Sequence, residues 1–396
     1  MNKYMFCILI LTLFFLTGCW DRQELNEISI TLALGIDKVE DEFLVSAQVV
    51  VPSELTMNRG TGSSAVTLYQ EKGETIFEAF RKMTKESPRK IYPGHLQILV
   101  ISEELAQEGI AESLEFLSRD PDLRPDFYVV IAKDVAASEI LNITTTLENI
   151  PANKMFDSLE MSEKVWAGTR SINLDELITD LISEGKEAVV TGIQLIGNPQ
   201  KGSNKQNVES IKPAATIQYD DLAVFKRDKL IGWLTEQETI GFSYIKNKVT
   251  TSVRPIDCPS DGKATIDIIR SKSNVKGAIK NGEPEVDINV KVEGNVGSVE
   301  CEIDLEKLET INELEEIFEK ELEETIEKTI EASQKKYETD ICGFGQAIHR
   351  SNPKEWHKIQ KNWDEKFPDL TVNINVDFKI LHTGSINNSF LEKIND

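Results

Sequence analysis

One feature limits this chain more than any other: its only long apolar run, residues 5–16, sits at the extreme N-terminus. A helix spanning a bilayer needs about 20 apolar residues, so this run is too short to be one. It fits a secretory signal, with Lys3 before it and small residues after it. Leu16-Thr17-Gly18-Cys19 then matches the lipobox of exported lipoproteins. In that motif the thiol of the cysteine takes a diacylglyceryl group and cleavage falls just before it. Cys19 is therefore the expected lipidation site, and residues 1–18 the signal. Each buried CH₂ of an acyl chain contributes about 0.8 kcal/mol, so two or three chains make a stable anchor where one does not. Everything beyond Cys19 is expected to fold as a water-facing body held at a membrane surface.

A chain of 396 residues is too long for one ordinary core, and two or three domains are expected. The net charge of −23 argues against nucleic acid as a partner, because phosphate binding needs a basic face. The same charge repels an anionic lipid surface, which makes a covalent anchor more necessary. Cys7 leaves with the signal. Cys258, Cys301 and Cys342 are too far apart for a disulfide framework, and they lack the close pairs of a zinc site. They leave room for a single bridge.

Along the body, residues 28–36 and 43–51 alternate apolar and polar, which predicts a strand hairpin. A helix is expected over residues 74–86, burying Ile76, Phe77, Phe80 and Met83. Strands at 96–101, 127–132 and 187–196 alternate with helices near 102–117, 152–164 and 173–184, the last stopped by Gly185. Residues 19–196 thus read as a mixed α/β module that could comprise two subdomains, and the polar stretch 197–211 as a linker. Residues 212–390 read as a second, α+β module. It opens with a hairpin, residues 222–225 and 230–234. Thr235 and Glu238 then make a capping box. Three strand-like stretches follow at 264–271, 274–280 and 285–294, with Asn281-Gly282 as a hairpin turn. A long helix over residues 304–337 steps its apolar residues by three or four and fills its other face with solvated glutamates. A final strand, 371–381, completes an antiparallel sheet flanked by that helix. The fold class is α+β, mixed α/β and multi-domain.

Enzyme chemistry is missing. There is no Gly-x-Ser-x-Gly elbow and no phosphate loop, and the histidines at 95, 349, 357 and 382 form no His-Glu-x-x-His frame. Asp120, Asp122 and Asp126 lack the glycine and distal glutamate of a calcium loop and read as a rigid turn. No cofactor or metal is expected. One charge feature runs against the acidic average: Arg81, Lys82, Lys85, Arg89 and Lys90 cluster together. They form a candidate docking patch for a partner protein or lipid headgroups.

Several strings together resemble one family. They are "GCWDRQELNE" at 18–27, "SPRKIYPGHLQILVISEELA" at 87–106 and "FLSRDPDLRPDFYVVIAKD" at 116–134, then "KLIGWLTEQE" at 229–238, "DICGFGQAIHRSNPKEW" at 340–356 and "NWDEKFPDLTVNINVDFKI" at 362–380. In this order, behind a lipobox, they resemble the Ger(x)C family, the C-subunit lipoproteins of bacterial spore germinant receptors. The resemblance implies a three-domain mixed α/β body without enzymatic activity, on the outer face of the spore inner membrane. It implies polytopic A and B subunits as partners, and a small nutrient sensed indirectly through the complex. The lipidated cysteine carries over to Cys19, and no catalytic residue carries over. The alternative is a solute-binding lipoprotein of a transporter, which would need two similar lobes around a ligand cleft.

Overall fold

The computed structural model describes residues 24, 26–55, 63–259, 261–280 and 282–384. The apolar run and Cys19 lie outside the described residues.

The first sheet has a parallel centre. β1 (Ile28–Val39) and β2 (Glu42–Val50) form the expected hairpin, and β3 (Val66–Gly73) extends it antiparallel. β4 (Lys90–Tyr92) runs parallel to the start of β1. β5 (Ile98–Ser102) runs parallel to the later part of β1, then β6 (Tyr128–Ala132) and β7 (Val189–Gly197) follow in the same direction. The helices between them are α1 (Ile76–Lys82), α2 (Glu103–Glu108), α3 (Ala111–Arg119), α4 (Ala137–Leu141), α5 (Pro151–Val165) and α6 (Leu174–Leu181). Thr75, Ser102 and Asn173 cap α1, α2 and α6 by accepting from amides in the first turn. Parallel strands are covered on both faces, and every residue of β5 is buried. Leu99 and Ile101 pack with α1, α2, α3 and α6. Ile98 and Val100 pack with α4 and α5 on the opposite face. In α1 the buried residues are Ile76 and Ala79, followed by Met83 just beyond it; Phe77 stands 49% exposed, contrary to expectation.

The stretch expected as a linker is structured. It carries α7 (Pro199–Gly202) and α8 (Gln206–Glu209). Asn207 is buried, donating to the carbonyls of Thr144 and Ala215 and accepting from the Ala215 amide. The hairpin placed at the head of the second module, β8 (Ala215–Lys226) and β9 (Lys229–Leu234), pairs with β7 and completes the first sheet. It also serves the other side. Leu222, Val224 and Leu234 enter the core of the second module, whereas Ala223, Phe225 and Leu230 enter the first. Strand alternation lets one hairpin belong to both cores.

The second sheet contains β10 (Ser252–Asp257), β11 (Lys263–Lys280), β12 (Glu283–Val299) and β13 (Thr371–His382) in that order. The two stretches expected at 264–271 and 274–280 are one continuous strand, β11, with a register shift between Ile268 and Arg270. β13 runs parallel to β12, which corrects the expected all-antiparallel sheet. An alternating pattern carries no direction. The long passage between β12 and β13 makes room for the crossover that a parallel pair requires. That passage holds α10 (Leu308–Glu331), which packs on β13, after α9 (Glu236–Ile245) earlier in the chain. α11 (Phe344–Ser351) then covers β11, and α12 (Pro353–Ile359) packs on α11. Cys258 and Cys301 are joined in a disulfide, the one bridge the cysteine count allowed, and Cys342 is buried and free.

Candidate docking face and module junction

The five basic residues marked in the sequence do not act alike. Lys82 pairs with Glu78 at 2.9 Å, one helical turn back, and donates to the Lys72 carbonyl. Lys90 pairs with Asp122, from the turn that the aspartate-proline string makes between α3 and β6. In that turn the Asp122 amide donates to the Asp120 carboxylate at 2.9 Å, a local bond that fixes the bend. Arg81 lies over the Phe77 ring, 4.9 Å from its centroid. Lys85 and Arg89 are exposed, and their side chains have no ion-pair partner among the described residues.

Arg81 and Lys90 border a cleft of about 600 Å³. Its floor is aromatic: Phe116 lies 5.8 Å from Phe77 and 6.1 Å from Phe80, ring centre to ring centre. The sequence offered no sign of this floor, because Phe77 and Phe80 fit a core helix equally well. Helical geometry sends Phe77 outward, since Ile76, Ala79 and Met83 already claim the buried stripe.

Among the described residues, no group of three or more ligating side chains is placed to hold a metal ion. His349 and His357, eight apart in sequence, lie with ring centres 5.8 Å apart because the α11–α12 hairpin folds them together.

A second polar centre lies where the modules meet. Asp340 is buried, and its carboxylate accepts from the amides of Gly343, Phe344 and Gly345 at 2.8–2.9 Å and from the Trp363 indole at 3.1 Å. It thereby satisfies the free amides at the start of α11. Burial still pushes the Asp340 carboxyl up to about 6 against those four donors. Gly343, at φ +74°, makes the turn, and Gly345 lies so close to Gly185 that a Cβ would stand 2.6 Å from its Cα. Main-chain bonds then tie the modules together, from the Glu187 amide to the Asp340 carbonyl at 2.9 Å and from the Gln346 amide to the Gly185 carbonyl at 3.1 Å. The string 340–345 is thus a joint between modules.

The pattern that defines "Spore germination protein N-terminal domain" matches residues 21–195, and that of "Spore germination B3/ GerAC like, C-terminal" matches residues 220–384. The chain belongs to the Ger(x)C family. Members resemble it along their whole length. Spore germination protein KC of Bacillus subtilis (strain 168) is 29% identical over 98% of each chain. Spore germination protein B3 of the same organism is 26% identical over 96% of this chain and 98% of the relative. The crystal structure of the GerBC protein overlays with a TM-score of 0.52 at 21% identity, covering 88% of this chain and 96% of that one. Its mixed α/β fold is therefore the Ger(x)C fold. This is the C-subunit family of spore germination receptors, a family not known for enzymatic activity. Among the described residues, no helix is long and apolar enough to cross a membrane.

Proposed function

We propose that this chain is a lipid-anchored, non-enzymatic subunit of a nutrient germinant receptor. Cys19 carries the acyl chains, and the body sits on the outer face of the spore inner membrane beside polytopic A and B subunits. The work of the subunit is assembly. An anchor confines the body to a thin layer at the membrane, which raises its effective concentration near its partners, so modest contacts suffice. The observation that carries the reading is the lipobox at residues 16–19 ahead of a body that matches the family in both halves. The docking face is the exposed pair Lys85 and Arg89, with Arg81 and Lys90 on the aromatic cleft beside them and Lys82 held back by Glu78. The transporter reading needs two similar lobes, and the two modules differ in sheet order and helix placement.

Cys19→Ala is the direct test. Spore membranes carrying the variant should lose this chain to the soluble fraction, and germination in nutrient should slow. Retention of the variant in washed membranes would overturn the anchor.

A further inference from the structure

A second cleft, of about 410 Å³, opens between α5, the loop that follows it, β7, β8 and the start of α9. It draws on both halves of the chain, and junctions of this kind are preferred places for small-ligand sites. Three observations set it apart from a mere surface dent.

First, it holds an ammonium without a counter-ion. Lys154 donates to the Ile217 carbonyl at 3.1 Å, and no carboxylate among the described residues lies within ion-pair distance of it. Burial alone lowers its pKa. Neighbouring Lys133 shows the contrast, pairing with Asp221 at 2.6 Å and Asp220 at 3.7 Å. Second, the Thr169 hydroxyl, on a side chain only 4% exposed, lines the cleft without a hydrogen-bond partner. Buried hydroxyls are ordinarily satisfied.

Third, β8 is bent to bring acid to the opposite wall. Asp220 pairs with Gly192 and Leu222 with Thr191, which leaves Asp221 bulged out at φ +33°. A regular strand would send two successive side chains to opposite faces. The bulge turns both carboxylates towards Lys133, and both line the cleft. Gln194 and Lys133 both meet Asp220 at Oδ2, leaving its Oδ1 without a partner among the described residues. Glu236, at the start of α9, accepts the Trp166 indole through Oε1 at 2.8 Å, and its Oε2 is likewise uncommitted.

One ammonium without a counter-ion thus faces two carboxylates with an oxygen to spare, Asp220 and Glu236, and a third, Asp221, held by Lys133. A neutral ligand would leave Lys154 desolvated and unpaired. A simple anion would be repelled by Asp220 and Glu236, and a simple cation by Lys154. We propose that this cleft binds a small zwitterion of amino-acid size. Its carboxylate would rest on the Lys154 ammonium and the Thr169 hydroxyl, and its ammonium on Asp220 and Glu236. The volume lies at the lower end of the range for small-ligand sites, which suits such a molecule. Gly168 belongs to the design: a Cβ there would meet the Trp166 ring at 2.6 Å and push the indole from its place beside the cleft.

The test is calorimetric titration of the full chain in detergent with each common amino acid singly. At least one should bind. Its deaminated and decarboxylated analogues should each bind about tenfold more weakly or worse, as should the amino acid itself to Lys154→Met and Asp220→Asn. Circular dichroism melts establish that the variants are folded. Glu236→Gln, at an exposed helix start, provides a further variant if Lys154→Met melts early. The proposal is overturned if no amino acid binds at millimolar concentration, if folded Lys154→Met or Glu236→Gln binds like the wild type, or if the deaminated analogue binds equally well. The cleft is a property of this chain alone, so failure here leaves the anchored-subunit reading to be decided at Cys19.

Discussion

The Glu319 carboxylate accepts the main-chain amide of Phe378 at 2.8 Å. Glu315 does the same for Ile380 at 2.9 Å and Glu323 for Val376 at 3.3 Å. Four residues of helix rise about 6 Å, and two residues of strand advance slightly more, so α10 and β13 stay in step over three bonds. β13 is an edge strand, and without these bonds its outward amides would be open to pairing with another chain. These glutamates close it. The acidic side of the helix is therefore not simply solvated, and Glu315 is only 7% exposed. Glu319→Ala should cost about 1–3 kcal/mol in urea unfolding and raise the fraction of larger species in light scattering. Glu319→Gln, which retains an acceptor oxygen, should cost less. Equal stability of the alanine variant would remove the ladder from the account.

Asp340 makes stability depend on pH. Its folded carboxyl titrates near 6, above the ordinary 3.8, because burial disfavours the charge. A raised pKa means that its contribution is full below about pH 4 and is lost as the pH rises through about 6. Asp340→Asn carries no charge to bury. The stability of the wild type relative to that variant should fall by about 2–3 kcal/mol between pH 4 and 7 and then level off. Denaturant curves at several pH values measure this. A flat difference would mean that the four donors keep the carboxylate ionised throughout.

The Cys258–Cys301 bridge closes a loop across a sequence separation of 43. Loop entropy of that length corresponds to about 4 kcal/mol of stabilisation, provided the native structure is otherwise unchanged. Cys258→Ser with Cys301→Ser should lower the urea midpoint accordingly, and reductant should do the same to the wild type only. Cys342 is buried, and burial raises its thiol pKa far above the ordinary range, so it should resist alkylation until the chain unfolds. Rapid labelling of the native protein at this position would contradict that.

The basic patch gives a prediction sharpened by its geometry. Reversing Lys90 would set an acid against Asp122 and disturb the turn, so it confounds folding with docking. Lys85→Glu with Arg89→Glu touches no internal pair. Thermal unfolding should stay within about 0.5 kcal/mol of wild type, as for ordinary surface changes. Co-purification of polytopic subunits from spore membranes should drop. Undiminished co-purification would take the docking face away from these residues.

Much was written in local pattern. The β1–β2 hairpin, the caps at Ser102 and Thr235 and the long apolar stripe of α10 follow from periodicity and from residues acting within a turn of themselves. The resemblance to the Ger(x)C family was equally legible, because it rests on contiguous strings. Tertiary structure alone decided which way β13 runs, that β8 and β9 serve two cores, that Glu315, Glu319 and Glu323 guard an edge, and that Lys154 faces two acids across a cleft. The physical reason is range. Alternation and helical spacing report how a segment divides its own side chains between core and water. Strand direction and the meeting of charges depend on where distant segments come to rest.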